Sequence, residues 1–387
     1  MPASPSTARA INDRRALHLL QEEGPLTAGQ LKALTGLSRP SVADLVERLQ
    51  GEGLIAVVGE AGAERRGPNA RVYGIVAERA YLAALDVRTD SVAVGVADLL
   101  GRTLAEATLT MGEDVPTEQA VEAAVALLER TARGAGVAAL HTVGIGAPGL
   151  IDPATGELRD SSGLPAWHRR LIAVLQGRLP AAVLVENETN LAAVAEQRLG
   201  AARAHDTFVF LWLGKGVGAA VVLDGKVRRG ASGGAGEIGF LPVPGTAGLP
   251  SATGCEGGFH SLVGEAAVRA LAQAHGLPGA VDGAAVIAGA LEAGERAEPF
   301  LDALAERLAL GAASVVAVLD PGCVVLGGEM GLAGGKVLAD RVEARLAQLS
   351  PLRTEVRAGA LGGGAVRDGA LLIAREAAQE ELFAPAG

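Results

Sequence analysis

The 387-residue chain is poor in cysteine, with Cys255 and Cys323 its only two. Two thiols cannot form a disulfide framework, which excludes the small stapled scaffolds of secreted proteins and fits a reducing, cytoplasmic compartment. Long hydrophobic runs are also missing. No stretch reaches the roughly 18 uninterrupted apolar residues of a membrane span, and Met1 to Ala10 is too polar for a secretion signal. No membrane is expected among its partners. Ordinary hydrophobic material is plentiful at 49% of residues. At this length that can fill two or three cores, so a multidomain globular protein is the expectation.

Negative charge dominates, at a formal −10, but it is uneven. Residues 1–79 carry ten Lys/Arg against nine Asp/Glu, which leaves this segment near +1 and the remainder near −11. Four of the ten, Arg65, Arg66, Arg71 and Arg79, fall within fifteen residues. A clustered basic surface can meet nucleic acid even on an acidic protein.

The order of elements in residues 1–79 gives that cluster a context. Ile11, Leu17, Leu19 and Leu20 among charges suggest an amphipathic helix ending at Gly24-Pro25. Thr27 with Gln30 has capping-box form, and Leu31 and Leu34 supply an apolar stripe before Thr35-Gly36. Ser38 can cap a third helix with Pro40 in its first turn and Val42, Leu45, Val46 and Leu49 on its buried face. Two short helices joined by so tight a turn fit a helix-turn-helix, in which Ser38, Arg39, Ser41 and Asp44 stand at the end that meets base edges. Leu54–Val58 and Arg71–Ile75 read as a returning hairpin, a wing with Glu64-Arg65-Arg66-Gly67-Pro68 at its tip. Arg65, Arg66 and Arg71 suit phosphate contact or a narrow minor groove. The alternative is a plain three-helix packing module with solvated loop arginines.

Beyond Ala80 one pattern occurs twice. Tyr81–Asp86, Ser91–Asp98 and the segment opening at Leu100-Gly101-Arg102-Thr103 form strand, turn, strand, turn, strand, and Thr207–Leu213, Ala219–Leu223 and Lys226–Gly230 repeat it. Further short strands follow in each half, at Val143–Ala147 and Val183–Val185, then at Cys323–Leu326. A duplicated α/β architecture with a cleft between its halves is expected. The second turn, Gly214-Lys215-Gly216-Val217-Gly218, could present N–H groups to a phosphate, or be an ordinary hairpin turn.

Gly144-Ile-Gly-Ala-Pro-Gly149, Val185-Glu-Asn-Glu188, Leu213–Gly218, Gly236-Glu-Ile-Gly239, Leu319–Gly328 and Leu361-Gly-Gly-Gly resemble, in order, the blocks of the ROK family of repressors, open reading frames and sugar kinases. The winged head resembles that of the family's regulators. The resemblance implies a two-lobed, actin-like sugar-kinase fold, usually dimeric. It divides the chain into a DNA-binding head at 1–79, a first lobe at 80–195 with a C-terminal return, and a second lobe at 196–387 for ligand binding and dimerisation. Sugar contacts are implied at Asn187, Glu188, Glu237 and His260.

Departures from the family's pattern point away from catalysis. Glu188 stands where its kinases carry the aspartate base, and one extra methylene shifts the carboxylate by more than the roughly 1 Å that can already cost two orders of magnitude in rate. Val87-Arg88-Thr89 replaces the first Gly-Gly-Thr phosphate turn, and Lys215 replaces a threonine in the second. The family's structural zinc site, a histidine and three cysteines, is replaced by Phe240, Ser251, Thr253 and Gly258, with Cys255 between ligand positions. No metal or cofactor is expected. The leading expectation is a homodimeric or dimer-of-dimers regulator that binds an operator on double-stranded DNA and senses a sugar or sugar derivative. The alternatives are an active sugar kinase with a DNA-binding head and a ligand-blind dimerisation platform.

Overall fold

The computed structural model describes residues 5–61, 70–112, 115–159, 165–251 and 254–384. The chain begins with α1 (Pro5–Glu22), β1 (Leu26–Thr27), α2 (Ala28–Thr35), α3 (Arg39–Gly51) and the strands β2 (Ile55–Ala61) and β3 (Ala70–Ile75). Local capping chemistry sets these helix ends. The Thr27 hydroxyl accepts the Gln30 N–H at 3.2 Å while Gln30 Oε1 accepts the Thr27 N–H at 2.9 Å. Gly36 closes α2 at φ 73°, and Ser38 caps α3. Thr27→Ala removes one half of the box, so we expect about 1 kcal/mol of destabilisation, read as a lower urea midpoint with an unchanged slope.

The head departs from sequence expectation in two ways. Ile11 and Leu34, expected on buried faces, are 58% and 41% exposed. Six residues before Leu17, Ile11 points about 120° away from it around the helix, and α1 instead buries Ala16, Leu17 and Leu20. In the last turn of α2, Thr35 takes the inward position and its hydroxyl returns to Leu31 O at 2.6 Å. The second departure is β1, whose Leu26 and Thr27 pair with Tyr73 and Val72 to give a three-stranded sheet, β1-β3-β2. A strand of two residues leaves no alternation to detect.

The first half of the body contains β4 (Tyr81–Val87), β5 (Ser91–Asp98), β6 (Thr103–Thr110), α4 (Thr117–Gly134), β7 (Thr142–Ala147), α5 (Trp167–Arg178), β8 (Ala182–Asn187) and α6 (Glu188–Leu199). The second contains β9 (Phe208–Leu213), β10 (Val217–Leu223), β11 (Lys226–Val227), α7 (His260–Val263), α8 (Glu265–Ala274), α9 (Gly283–Ala293), α10 (Glu298–Leu319), β12 (Cys323–Gly327), α11 (Gly328–Leu349), β13 (Glu355–Ala358) and α12 (Ala365–Leu382). The repeat holds at the level of topology. One sheet runs β6-β5-β4-β7-β8 and the other β11-β10-β9-β12-β13, each an antiparallel meander extended by two parallel strands.

Two helices lie between these sheets. α12 packs on β4 and β7, α6 packs on β9 and β10, and the pair run against each other. Leu191, Ala192, Ala195, Val366 and Ala370 share their core with Phe208, Phe210 and Val325 of the second sheet. Glycines permit this close approach. A Cβ on Gly369 of α12 would lie 2.0 Å from Leu191 O, and one on Gly144 of β7 would lie 2.2 Å from Ala370 O. The far end of α12 reaches the head, where Ala378 and Phe383 join Leu17, Leu20, Leu45, Leu82 and Leu99 in one hydrophobic cluster.

Candidate functional site

The strand ends β4, β7, β8, β9 and β12 converge on a cleft between the lobes. Asp86, 2% exposed at the end of β4, accepts from Arg88 Nε at 3.0 Å. Arg88 Nη1 reaches across to Glu329 Oε1 of α11 at 3.1 Å, and Nη2 donates to Gly363 O before α12 at 3.0 Å. From behind, the buried ring of His168 lies with Nε2 3.1 Å from Arg88 O. Beside this, Lys215 Nζ of the β9–β10 turn pairs with Asp90 of the β4–β5 turn at 3.0 Å. The two turns expected to face phosphates are therefore joined to acidic groups of the opposite lobe. A third ion pair, Arg229 to the buried Glu186, also spans the lobes.

Carboxyl groups outnumber these cations. The cleft, of roughly 410 Å³, is lined by Asp90, Glu188, Glu265, Asp282 and Glu329 against Arg88 and Lys215, with Pro148 and Trp212 among its walls. Glu188, the first residue of α6, is pushed up to about 8, first by burial and then by Asp86 and Glu329, with Arg88 opposing. Burial raises Asp86 as well, against the pull of Arg88. Hydrogen bonding to Lys215 holds Asp90 below the ordinary carboxylate range.

The four sugar contacts implied by the resemblance are not gathered around that space. Only Glu188 lines it. Asn187 is committed to capping: its Oδ1 accepts from Thr189 N–H at 2.9 Å and Asn190 N–H at 3.3 Å, and Nδ2 donates to Gly149 O at 3.0 Å. Glu237 and His260 flank Gly239 on the second lobe, and burial raises the first and lowers the second. Sequence reading missed Glu329, His168 and Glu196. The last is buried, and its two oxygens accept the N–H groups of Ala360 and Leu361 at 2.7 and 3.0 Å and of Ala201 at 2.6 Å. It thereby ties α6 to the segment entering α12. Such partners come from distant parts of the chain and leave no local motif.

The zinc implied by the resemblance does not fit the residues at its positions. Phe240 has no donor, and the Ser251 hydroxyl is 3.4 Å from Gly254 O. A cysteine in place of Gly258 would put its Cβ 2.4 Å from Gly239 O. Thr253 lies outside the described residues.

On the head, Ser38, Arg39, Ser41 and Asp44 are exposed at the start of α3. The Ser38 and Ser41 hydroxyls are 2.8 Å apart, so both serve the cap. Arg39 and Asp44 project from the same end without that commitment to the cap, and Arg71 is exposed on β3 opposite Glu60. Arg65 and Arg66 lie outside the described residues. Among the described residues no helix is long and apolar enough to cross a membrane.

A model described as the ROK family matches residues 82–377, three quarters of the chain. The chain belongs to the ROK family. A second model, described as the MarR family, matches residues 11–66, from α1 into the wing. This ROK chain is 21% identical to a putative xylose repressor of Caldicellulosiruptor sp. (strain Rt8B.4) over 346 residues, 86% of each. It is 24% identical to the xylose repressor of Caldicellulosiruptor bescii over 239 residues, 61% of this chain and 59% of that protein, so the match spans about three fifths of the relative's length. It is 35% identical to the bifunctional enzyme NanE/NanK of Brucella suis over 187 residues, 48% of this chain and 34% of that one. A crystal structure of a ROK family transcriptional regulator, a homologue of the E. coli MLC protein, superposes with a TM-score of 0.78 at 19% identity, covering 97% of this chain and 98% of that one. A ROK glucokinase from Streptomyces griseus, solved with glucose and AMPPNP, gives 0.63 at 27% identity and covers 76% of this chain and 99% of its own. The winged head followed by the two-lobed ROK fold is thus the arrangement of a solved regulator.

Proposed function

We propose that this ROK chain is a cytoplasmic, DNA-binding transcriptional repressor, acting as a homodimer or a dimer of dimers, whose body senses a sugar or sugar derivative and transfers no phosphate. The observation that carries this reading is the packed route from cleft to head. Glu188 opens α6, α6 lies along α12, and α12 ends in the core of the winged helix. A ligand that prefers one lobe arrangement can bias that route, as linkage requires.

Electrostatics supports the non-enzymatic half. Burial, with Asp86 and Glu329 beside it, pushes Glu188 up to about 8, which favours its protonated form at neutral pH and so disfavours its taking a proton from a sugar hydroxyl. Arg88 occupies the first phosphate turn with its own partners, and a cleft richer in acids than bases disfavours a polyanion. A neutral sugar suits it better than a sugar phosphate or ATP.

The test is fluorescence anisotropy on an operator selected from random duplexes by the full chain. Arg39→Ala is expected to weaken operator binding by about 5- to 150-fold through lost base contacts. Arg71→Ala is expected to weaken all sequences alike and flatten the salt dependence. Because two relatives are named xylose repressors, xylose heads the panel of sugars added to the complex. Release by a neutral sugar, with none by its phosphate or by ATP, is the expected result. ATP-dependent phosphorylation of any sugar in the panel would overturn the reading.

A further inference from the structure

At the far end of the second sheet, away from the cleft, three metal-ligating side chains meet. His205 lies in the loop between α6 and β9, Cys323 opens β12 and Glu355 opens β13. The last two are paired in register on neighbouring parallel strands. The ligand atoms of all three lie within 4.8 Å of one another. His205 Nε2 is shielded from solvent and has no hydrogen-bond partner, and the nearest Glu355 oxygen, Oε2, is 3.5 Å away, too far for a good hydrogen bond. A buried ring nitrogen left in this state costs free energy. The Glu355 carboxylate is held from its other side. Arg357 Nε donates to Oε1 at 2.7 Å, and Arg357 Nη1 donates to Ala201 O at 2.9 Å, so Oε2 remains turned toward the imidazole. Cys323 is fully buried behind them, while Glu355 remains partly open to water.

We propose that His205, Cys323 and Glu355 bind a divalent cation of the zinc class in a three-ligand site with its fourth position open to solvent. A nitrogen, sulfur and carboxylate donor set suits borderline-soft cations and is wrong for magnesium or calcium, which take oxygen ligands. Metal–ligand bonds of about 2.0–2.3 Å place tetrahedral ligands roughly 3.3–3.8 Å apart, so the triad contracts by about 1 Å on binding. His205 can supply that movement from its loop. The bound thiol gives up its proton to solvent on binding, so affinity rises with pH. Bound metal would join three chain segments beside Ala201, whose N–H is held by Glu196 of α6.

The experiment uses the full chain, stripped with a chelator and titrated with Co²⁺. One equivalent should bring up the visible bands of four-coordinate cobalt together with a thiolate-to-cobalt charge-transfer band, and Zn²⁺ should displace both. Cys255→Ser keeps the charge-transfer band and Cys323→Ser loses it. His205→Asn, at a loop position that does not depend on the buried thiol for folding, weakens cobalt binding about tenfold or more. A natively folded chain that shows no charge-transfer band overturns the proposal. So does a band that survives Cys323→Ser, or an affinity unchanged by His205→Asn.

Discussion

Glu188→Gln should raise the melting temperature of the full chain by several degrees above pH 8 and leave it unchanged at pH 4. The folded chain binds the Glu188 proton with a pKa of about 8, whereas the ordinary value is 4.5. Between these limits the folded state carries a proton that the unfolded state has released. Stability contributed at low pH is therefore lost as pH rises from 4.5 toward 8, and the loss is complete above 8. Glutamine mimics the protonated acid and does not titrate, so its advantage is absent at the acid end and full at the alkaline end. At about 1.4 kcal/mol per tenfold change in proton affinity, and with Arg88 and Asp86 free to readjust, the gain is on the order of 2–4 kcal/mol. Parallel melting curves for variant and wild type across this range would mean that Glu188 is ionised and still available as a base.

The second large effect concerns the helices between the sheets. Gly369→Ala adds a Cβ that would sit 2.0 Å from Leu191 O and 2.6 Å from its carbonyl carbon, both backbone atoms of α6. Backbone cannot swing aside as a side chain can, so α6 and α12 must separate. Forcing atoms into a filled interior costs about 1–3 kcal/mol, and more where neighbours are rigid, so we expect a loss at or above the top of that range. Gly289→Ala, in the exposed middle of α9 where an added Cβ meets nothing within 4 Å, is the matched control. It should stabilise by about 0.5–1 kcal/mol through helix propensity alone. Equal urea midpoints for the two variants would show that the interhelical approach is looser than described.

The elements readable in the sequence were those whose signals are local. The box at Thr27 and Gln30, the cap at Ser38 and the strand-turn-strand repeats each need only a few neighbouring residues; each stands where those residues suggest, except that the last strand of the second repeat, expected to Gly230, ends at Val227. The strand β13 escaped notice because Glu355–Ala358 is short and carries two charges; it is made a strand by parallel pairing with β12. In the cleft, Arg88 was visible as a misfit in a phosphate turn, but Glu329, 241 residues away, could not be named as its partner. Asn187, implied by the resemblance as a sugar contact, also caps the N-terminus of α6. The proton affinity of Glu188 depends first on its burial and then on Asp86 and Glu329, all of which arise only in the folded chain.

The junction between head and body also sets limits on engineering. From Ile75, the end of β3, to Tyr81, the start of β4, the chain has only a single short helical turn, and the Leu99 N–H bonds back to Ala77 O at 3.0 Å. Across it, Phe383 meets His18 edge-on with ring centres 6.3 Å apart, and Leu82 and Leu99 fill the underside of the winged helix. The reading head is therefore not a cartridge on a tether. A chimaera that borrows another winged helix must also bring a matching floor for Leu82, Leu99 and Phe383, or rebuild that floor in the body.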